Sequence, residues 1–183
     1  MRIPILISFL FTAMAATASA LDHPLATGVI RLEDPAGHAF QRRFRFRIGK
    51  QVQINTATLP DPTFSGATLE VFGTGAGDGN TGVLTLPAAT WRRLRSGGYH
   101  YRDHSAINGV SQVLIVPRGS LGGALHISGR TANWPYQVTQ PQGTIKVKLT
   151  IGTDVYCAAI SELQPNRAGI AFGKKAAAPV DCN

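Results

Sequence analysis

Apolar and polar residues alternate along much of this chain with a period of two. The pattern is clearest at residues 43–48, RFRFRI, where Phe44, Phe46 and Ile48 fall on one face and Arg43, Arg45 and Arg47 on the other. Residues 144–160 repeat it: Ile145, Val147, Leu149 and Ile151 alternate with Lys146, Lys148 and Thr150. Gly152, Thr153 and Asp154 then supply a tight turn, since glycine takes positive φ without a Cβ clash and Asp caps locally. The chain returns through Val155, Tyr156 and Cys157, so a hairpin is predicted there.

Shorter stretches at 26–33, 67–72, 83–86, 98–103, 110–116, 121–128, 136–139 and 169–172 read as further strands. In GYHYRD (98–103) Tyr99 and Tyr101 share one face, His100 and Arg102 the other. Residues 87–94 predict a single helical turn with Pro87 in its first position and Trp91 packed inward. The connection 73–82, GTGAGDGNTG, reads as a flexible hairpin loop. Regular turn signals and the lack of a long helical period predict an all-β fold. The expected form is a single-domain sandwich or flattened barrel of about nine to eleven short, mainly antiparallel strands, with at most one short helical turn. An outer-membrane barrel wants alternating strands of about ten residues with aromatic girdles, and these are shorter, with frequent prolines and basic outward positions.

The first residues change the address. Arg2, an apolar run over 5–16 and Ala18-Ser19-Ala20 form a secretory signal pattern, predicting cleavage after Ala20. Residues 21–183 then form the β-rich domain, secreted or periplasmic, with no transmembrane segment after signal removal. Two cysteines in an oxidising compartment pair by default, so Cys157 and Cys182 predict a disulfide that ties the C-terminal tail to the hairpin. The paired C-x-x-C spacing of a redox motif is absent.

Charge is the next constraint. Eighteen Lys and Arg against ten Asp and Glu give a formal net charge of +8. Such an excess favours anionic partners, and equally keeps an exported protein soluble. The basic strand rows Arg43, Arg45, Arg47 and Lys146, Lys148 make a candidate polyanion face if they adjoin, with an anionic polysaccharide or envelope component as the partner. Along a strand the arginines are spaced by roughly 6–7 Å.

Catalytic and cofactor motifs are weak. Gly77–Gly82 matches G-x-G-x-x-G, but a strand follows where a pyrophosphate needs a helix N-terminus, which excludes a nucleotide. Asp78 and Asn80 offer too few oxygens for calcium. His100 and His104 have helical metal spacing on what reads as a strand end, and His23, His38 and His126 are isolated. No G-x-S-x-G occurs. The sequence therefore points to no metal and no cofactor. Asp61, Asp78, Asp103 and His104 lie on loops and would make a hydrolytic site only if two of them met.

An ordered set of blocks carries a resemblance: DPAG (34–37), RRFRF (42–46), DPTFSGATL (61–69), LPAATW (86–91), GYHYRD (98–103), PQG (141–143), YCA (156–158) and APVDC (178–182). Together they resemble a β-rich domain that recurs in exported bacterial proteins of unknown function. The resemblance spans nearly all of the mature chain and implies that the two cysteines are kept as a pair. It implies no activity and no catalytic residues. The leading expectation is a non-catalytic module of the cell envelope or extracellular space that binds a ligand or partner. A polyanion-binding protein and a secreted hydrolase with a loop-built site are the alternatives.

Overall fold

The structure, a computed structural model, describes residues 21–180 and Cys182. The signal segment expected at residues 1–20 lies outside the described residues. Among the described residues thirteen strands form two sheets. In chain order they are β1 (Leu21–Pro24), β2 (Gly28–Glu33), β3 (Arg43–Gln51), β4 (Ala67–Gly73), β5 (Leu84–Leu86), β6 (Trp91–Arg93) and β7 (Tyr99–Arg102). Then come β8 (Val110–Val116), β9 (Gly123–Arg130), β10 (Ile145–Ile151), β11 (Asp154–Ile160), β12 (Leu163–Arg167) and β13 (Ile170–Gly173). The five-stranded sheet runs β1-β11-β10-β4-β5 and the eight-stranded sheet β12-β13-β2-β3-β9-β8-β7-β6. The ladders are antiparallel except that β1 lies parallel on β11. The all-β sandwich is the fold. The strands outnumber the expected nine to eleven because β1, β6 and β12 have only four, three and five residues. Pieces that short hold too little alternation to detect.

Among the described residues helical structure is confined to single turns. Asp61 caps α1 (Pro62–Ser65), its Oδ1 accepting from the Thr63 N–H at 2.9 Å. The helical turn expected over 87–94 shrinks to a 3-10 turn at Ala88–Thr90. Trp91 instead opens β6, with its ring buried and its Nε1 donating to the Leu86 carbonyl at 3.3 Å.

The alternation decides what is inside. Phe44, Phe46 and Ile48 of β3 are 0–2% exposed, and so are Ile145, Val147, Leu149 and Ile151 of β10. These rows belong to one apolar cluster filled from both sheets. Burying one such side chain contributes about 1.5–3 kcal/mol. Trp134 stacks on Phe44 with ring centroids 4.5 Å apart and planes 5° from parallel. Its six-membered ring lies against Gly129, where no side chain would fit.

Residues 136–139 do not form the strand that their alternation predicts. Trp134, Tyr136 and Val138 are buried, so the period of two is real. The backbone, however, bonds to the ends of the sandwich instead of a neighbouring ladder. The Val138 N–H donates to Asp34 Oδ2 at 3.0 Å, and its carbonyl accepts from the Gly169 N–H at 2.7 Å. The glycine-rich connection 73–82 is likewise pinned, not flexible. Asp78 Oδ2 accepts from the N–H groups of Gly75 and Gly143 at 2.8 and 2.9 Å, and the Gly79 N–H donates to Gln142 Oε1 at 2.9 Å.

Cys157 and Cys182 form the expected disulfide, with Cα atoms 5.5 Å apart. Both are buried with Val155 in a small cluster separate from the main core. The tail reaches this point by an antiparallel bridge between Ala159 and Ala177 and by paired backbone bonds between Gly28 and Ala176 and between Thr27 and Ala176. Replacing both cysteines by serine should lower unfolding free energy by about 2–4 kcal/mol in a urea titration. A variant as stable as the parent would show that backbone bonds alone dock the tail. Phe44→Ala should cost about 3–5 kcal/mol in the same assay, because it opens a cavity under Trp134; a loss under 1 kcal/mol would contradict the stack as a core element.

Candidate functional site

The outer face of the eight-stranded sheet is built by the residues that alternate with the core. On β3, Arg43, Arg45 and Arg47 are exposed while their neighbours are buried. Cross-strand register extends each of them into a rung. The first rung carries Val29, Arg47, His126, Leu114, His100 and Arg92 across β2, β3, β9, β8, β7 and β6. The second carries Phe172, Arg31, Arg45, Ser128, Gln112 and Arg102, starting on β13. The third carries Ile170, Glu33, Arg43 and Arg130. Strands are spaced by about 4.8 Å, so the columns from Arg31 to Arg92 span roughly 24 Å.

Seven arginines thus share one face with a single carboxylate on the rungs. Glu33 pairs with Arg31 across one pleat. Among the described residues, Arg43, Arg45, Arg47, Arg92, Arg102 and Arg130 make no ion pair. Arg31 stands directly opposite Arg45, and Arg43 directly opposite Arg130. Like charges in directly opposed positions destabilise a sheet, so this face keeps an electrostatic cost that an anion would relieve. Arg42, next in sequence, is turned away: its half-buried Nε bonds Asp34 Oδ1 at 2.7 Å.

Of the residues expected to adjoin, the structure puts three on one sheet face and two on the other sheet. Arg43, Arg45 and Arg47 are brought together with arginines from four other strands. Lys146 and Lys148 are not part of that face. They lie on β10 in the other sheet, half-buried, on the side away from the core. Lys148 sits between Glu70 and Cys157 in register, and the Lys146 ammonium lies 5.9 Å from the Phe72 ring centroid. Arg31, Arg102, Arg130, His100 and His126 were missed as members of the face. Each strand's alternation marks them as outward, but nothing in the sequence says that β9 lies beside β3.

The loop carboxylates serve their own loops. Asp61 caps α1 and accepts from the Thr63 hydroxyl at 2.6 Å. Burial pushes its carboxyl up, and the bonds from Thr63 together with Tyr99 and the charge of Arg93 outweigh that, leaving it below its ordinary range. Asp103 accepts from the hydroxyl of Ser105 and from the N–H groups of Ser105 and Ile107. The Ser105 hydroxyl leads in holding its carboxyl below the usual range. Asp78 is held by glycine amides as described. A general acid needs the opposite shift to that at Asp61 and Asp103. Among the described residues no three His, Cys, Asp or Glu side chains gather as a metal would require, so His100 and His104 share no such cluster. His23 is fixed on β11, with Nε2 3.0 Å from Asp154 Oδ2 and its ring stacked on Tyr156. No helix among the described residues is long and apolar enough to cross a membrane.

No protein-family model, curated protein or solved structure matches this chain.

His100 and His126 flank Leu114 on the first rung. Burial lowers the proton affinity of both rings, with Arg102 adding to the effect at His100, and Arg47 and Arg118 at His126. His100 Nε2 also lies 3.1 Å from Gln112 Nε2. An unfolded chain takes up protons at these positions below about pH 6.5, before the folded chain does. Their contribution to stability is therefore fully present above that pH and is lost as pH falls towards the lowered folded values. Unfolding free energy should drop between pH 7 and pH 5, and the H100Q/H126Q double variant should show a shallower drop. An unchanged slope would contradict the assignment.

Proposed function

We propose that this protein is an exported, non-catalytic module that binds an anionic polymer, such as an acidic polysaccharide or another polyanion of the cell envelope, on the outer face of its eight-stranded sheet. The observation that carries the reading is the set of three rungs on which seven arginines meet one carboxylate. Guanidinium forks suit phosphate and sulfate, and a flat array spanning several strands suits an extended chain of charges better than a single small ion. The disulfide supports an oxidising compartment. The engagement of Asp61, Asp78 and Asp103 in loop hydrogen bonds supports a non-catalytic role.

Heparin affinity chromatography tests the reading. The parent protein should be retained at low salt and elute as salt rises, since exposed charges are screened within about 10 Å at 0.1 M. The R45E/R47E variant should weaken heparin binding about tenfold or more, or about 1.4 kcal/mol. The K146E/K148E variant changes the same net charge on the opposite sheet and should stay close to the parent. Flow-through of the parent at low salt, or equal weakening by both variants, would overturn the proposal.

A further inference from the structure

We infer that one end of this face holds a built subsite for a sugar bearing a phosphate or sulfate group. The inference rests on the polyanion-binding reading and names the unit that is recognised. A cleft of about 510 Å³ opens where the third rung meets the second, lined by Phe40, Arg43, Arg45, Ser111, Ser128 and Arg130 among others. That volume is within the range of small-ligand sites. No carboxylate lines it.

Three features set the cleft apart from the rest of the face. The first is charge: Arg43 and Arg130 are directly opposed on β3 and β9, with Arg45 one rung away, and none makes an ion pair among the described residues. An anion seated between them accepts from several guanidinium N–H groups and removes their mutual repulsion. Arg130 is steadied by an Nη2–H bond of 3.4 Å to the His104 carbonyl. The second is hydroxyl placement. The β8–β9 ladder shifts register between Val110 and Gln112, leaving Ser111 as an extra residue. Its hydroxyl donates to the Ser128 carbonyl at 3.1 Å, and both serines line the cleft.

The third feature is Phe40. It is 67% exposed at the edge of a cleft otherwise rich in charge. It rides on the 3-10 turn Ala39–Gln41, and the turn is anchored by the Arg42–Asp34 pair and by the Thr131 N–H bonding the Arg42 carbonyl at 3.1 Å. An exposed ring on an anchored turn, lining the same cleft as three guanidiniums, offers an apolar plane and an anion seat together. Inorganic phosphate uses only the seat, whereas a sugar ester uses both.

The test is titration of the mature chain, residues 21–183, at low salt, followed by NMR shifts and calorimetry. Glucose 6-phosphate, glucose 6-sulfate, inorganic phosphate and unmodified glucose are the probes. At least one ester should bind about fivefold or more tighter than inorganic phosphate, and the better of the two identifies the group. Shifts should centre on Phe40, Arg43, Arg45 and Arg130. Phe40→Ala should bring the ester down to the level of phosphate, and Arg130→Ala should weaken both. Equal binding of ester and phosphate by the parent, or an ester preference that survives Phe40→Ala, would overturn the subsite. So would shifts centred on Arg47, Arg92 and Arg102. In each of these cases heparin retention would leave the broader reading standing. Loss of ester binding together with heparin flow-through would sink both.

Discussion

Phe44, Phe46 and Ile48 cannot leave the core without opening a cavity at the centre of the sandwich, and that requirement places every arginine of β3. The side-chain period in a strand is two, so a slip of one residue would bury Arg43, Arg45 and Arg47 and expose three large apolar groups. Desolvating even one guanidinium without a partner outweighs what one buried Phe contributes. The apolar row therefore fixes the basic row, and the ladders on either side carry the register outwards to β13 and β6. The face is a by-product of the core in its geometry. Its composition is not, because uncharged polar residues would satisfy the same alternation at less electrostatic cost.

The acidic side chains show the complementary arrangement. Asp34 joins three segments: it accepts from Arg42, from the Val138 backbone, and through its own N–H it meets the Gly169 carbonyl. Asp61, Asp78 and Asp103 hold their own connections, and Asp154 holds His23. Carboxylates accept several backbone N–H bonds at once, so they are well suited to closing loops. Arginine has no acceptor and cannot do this. Asp34, Asp61, Asp78 and Asp103 at the loops, with arginines on the sheet, follow from that difference, and the outcome leaves one broad surface with a single carboxylate, Glu33, on its rungs.

Much of the fold is legible in the sequence. Long alternating stretches such as 43–48 and 145–151 reported both their strands and their buried sides, because burial on one face is all that the pattern encodes. The pair Cys157 and Cys182 was legible from its count and its setting. Residues 136–139 misled for a physical reason: a buried crossing segment alternates like a strand, while its hydrogen bonds go to Asp34 and Gly169 rather than to a ladder. The glycine-rich stretch 73–82 misled in the other direction. Its order comes from Asp78, Gln142 and the amide of Gly143, which are local in space and, for the latter two, distant in sequence.

The chain by itself determined which residues point inwards and which outwards, since alternation is a local property of each strand and the hydrophobic effect acts on it directly. It determined that Arg43, Arg45 and Arg47 share a side, and that Lys146 and Lys148 do. Only the tertiary structure decided that these two rows belong to opposite sheets, that β2, β9, β7 and β6 add their own arginines to the first, and that Phe40 stands at its edge. Strand order rests on contacts between residues far apart in the chain, and a period of two holds no information about which strand will be the neighbour.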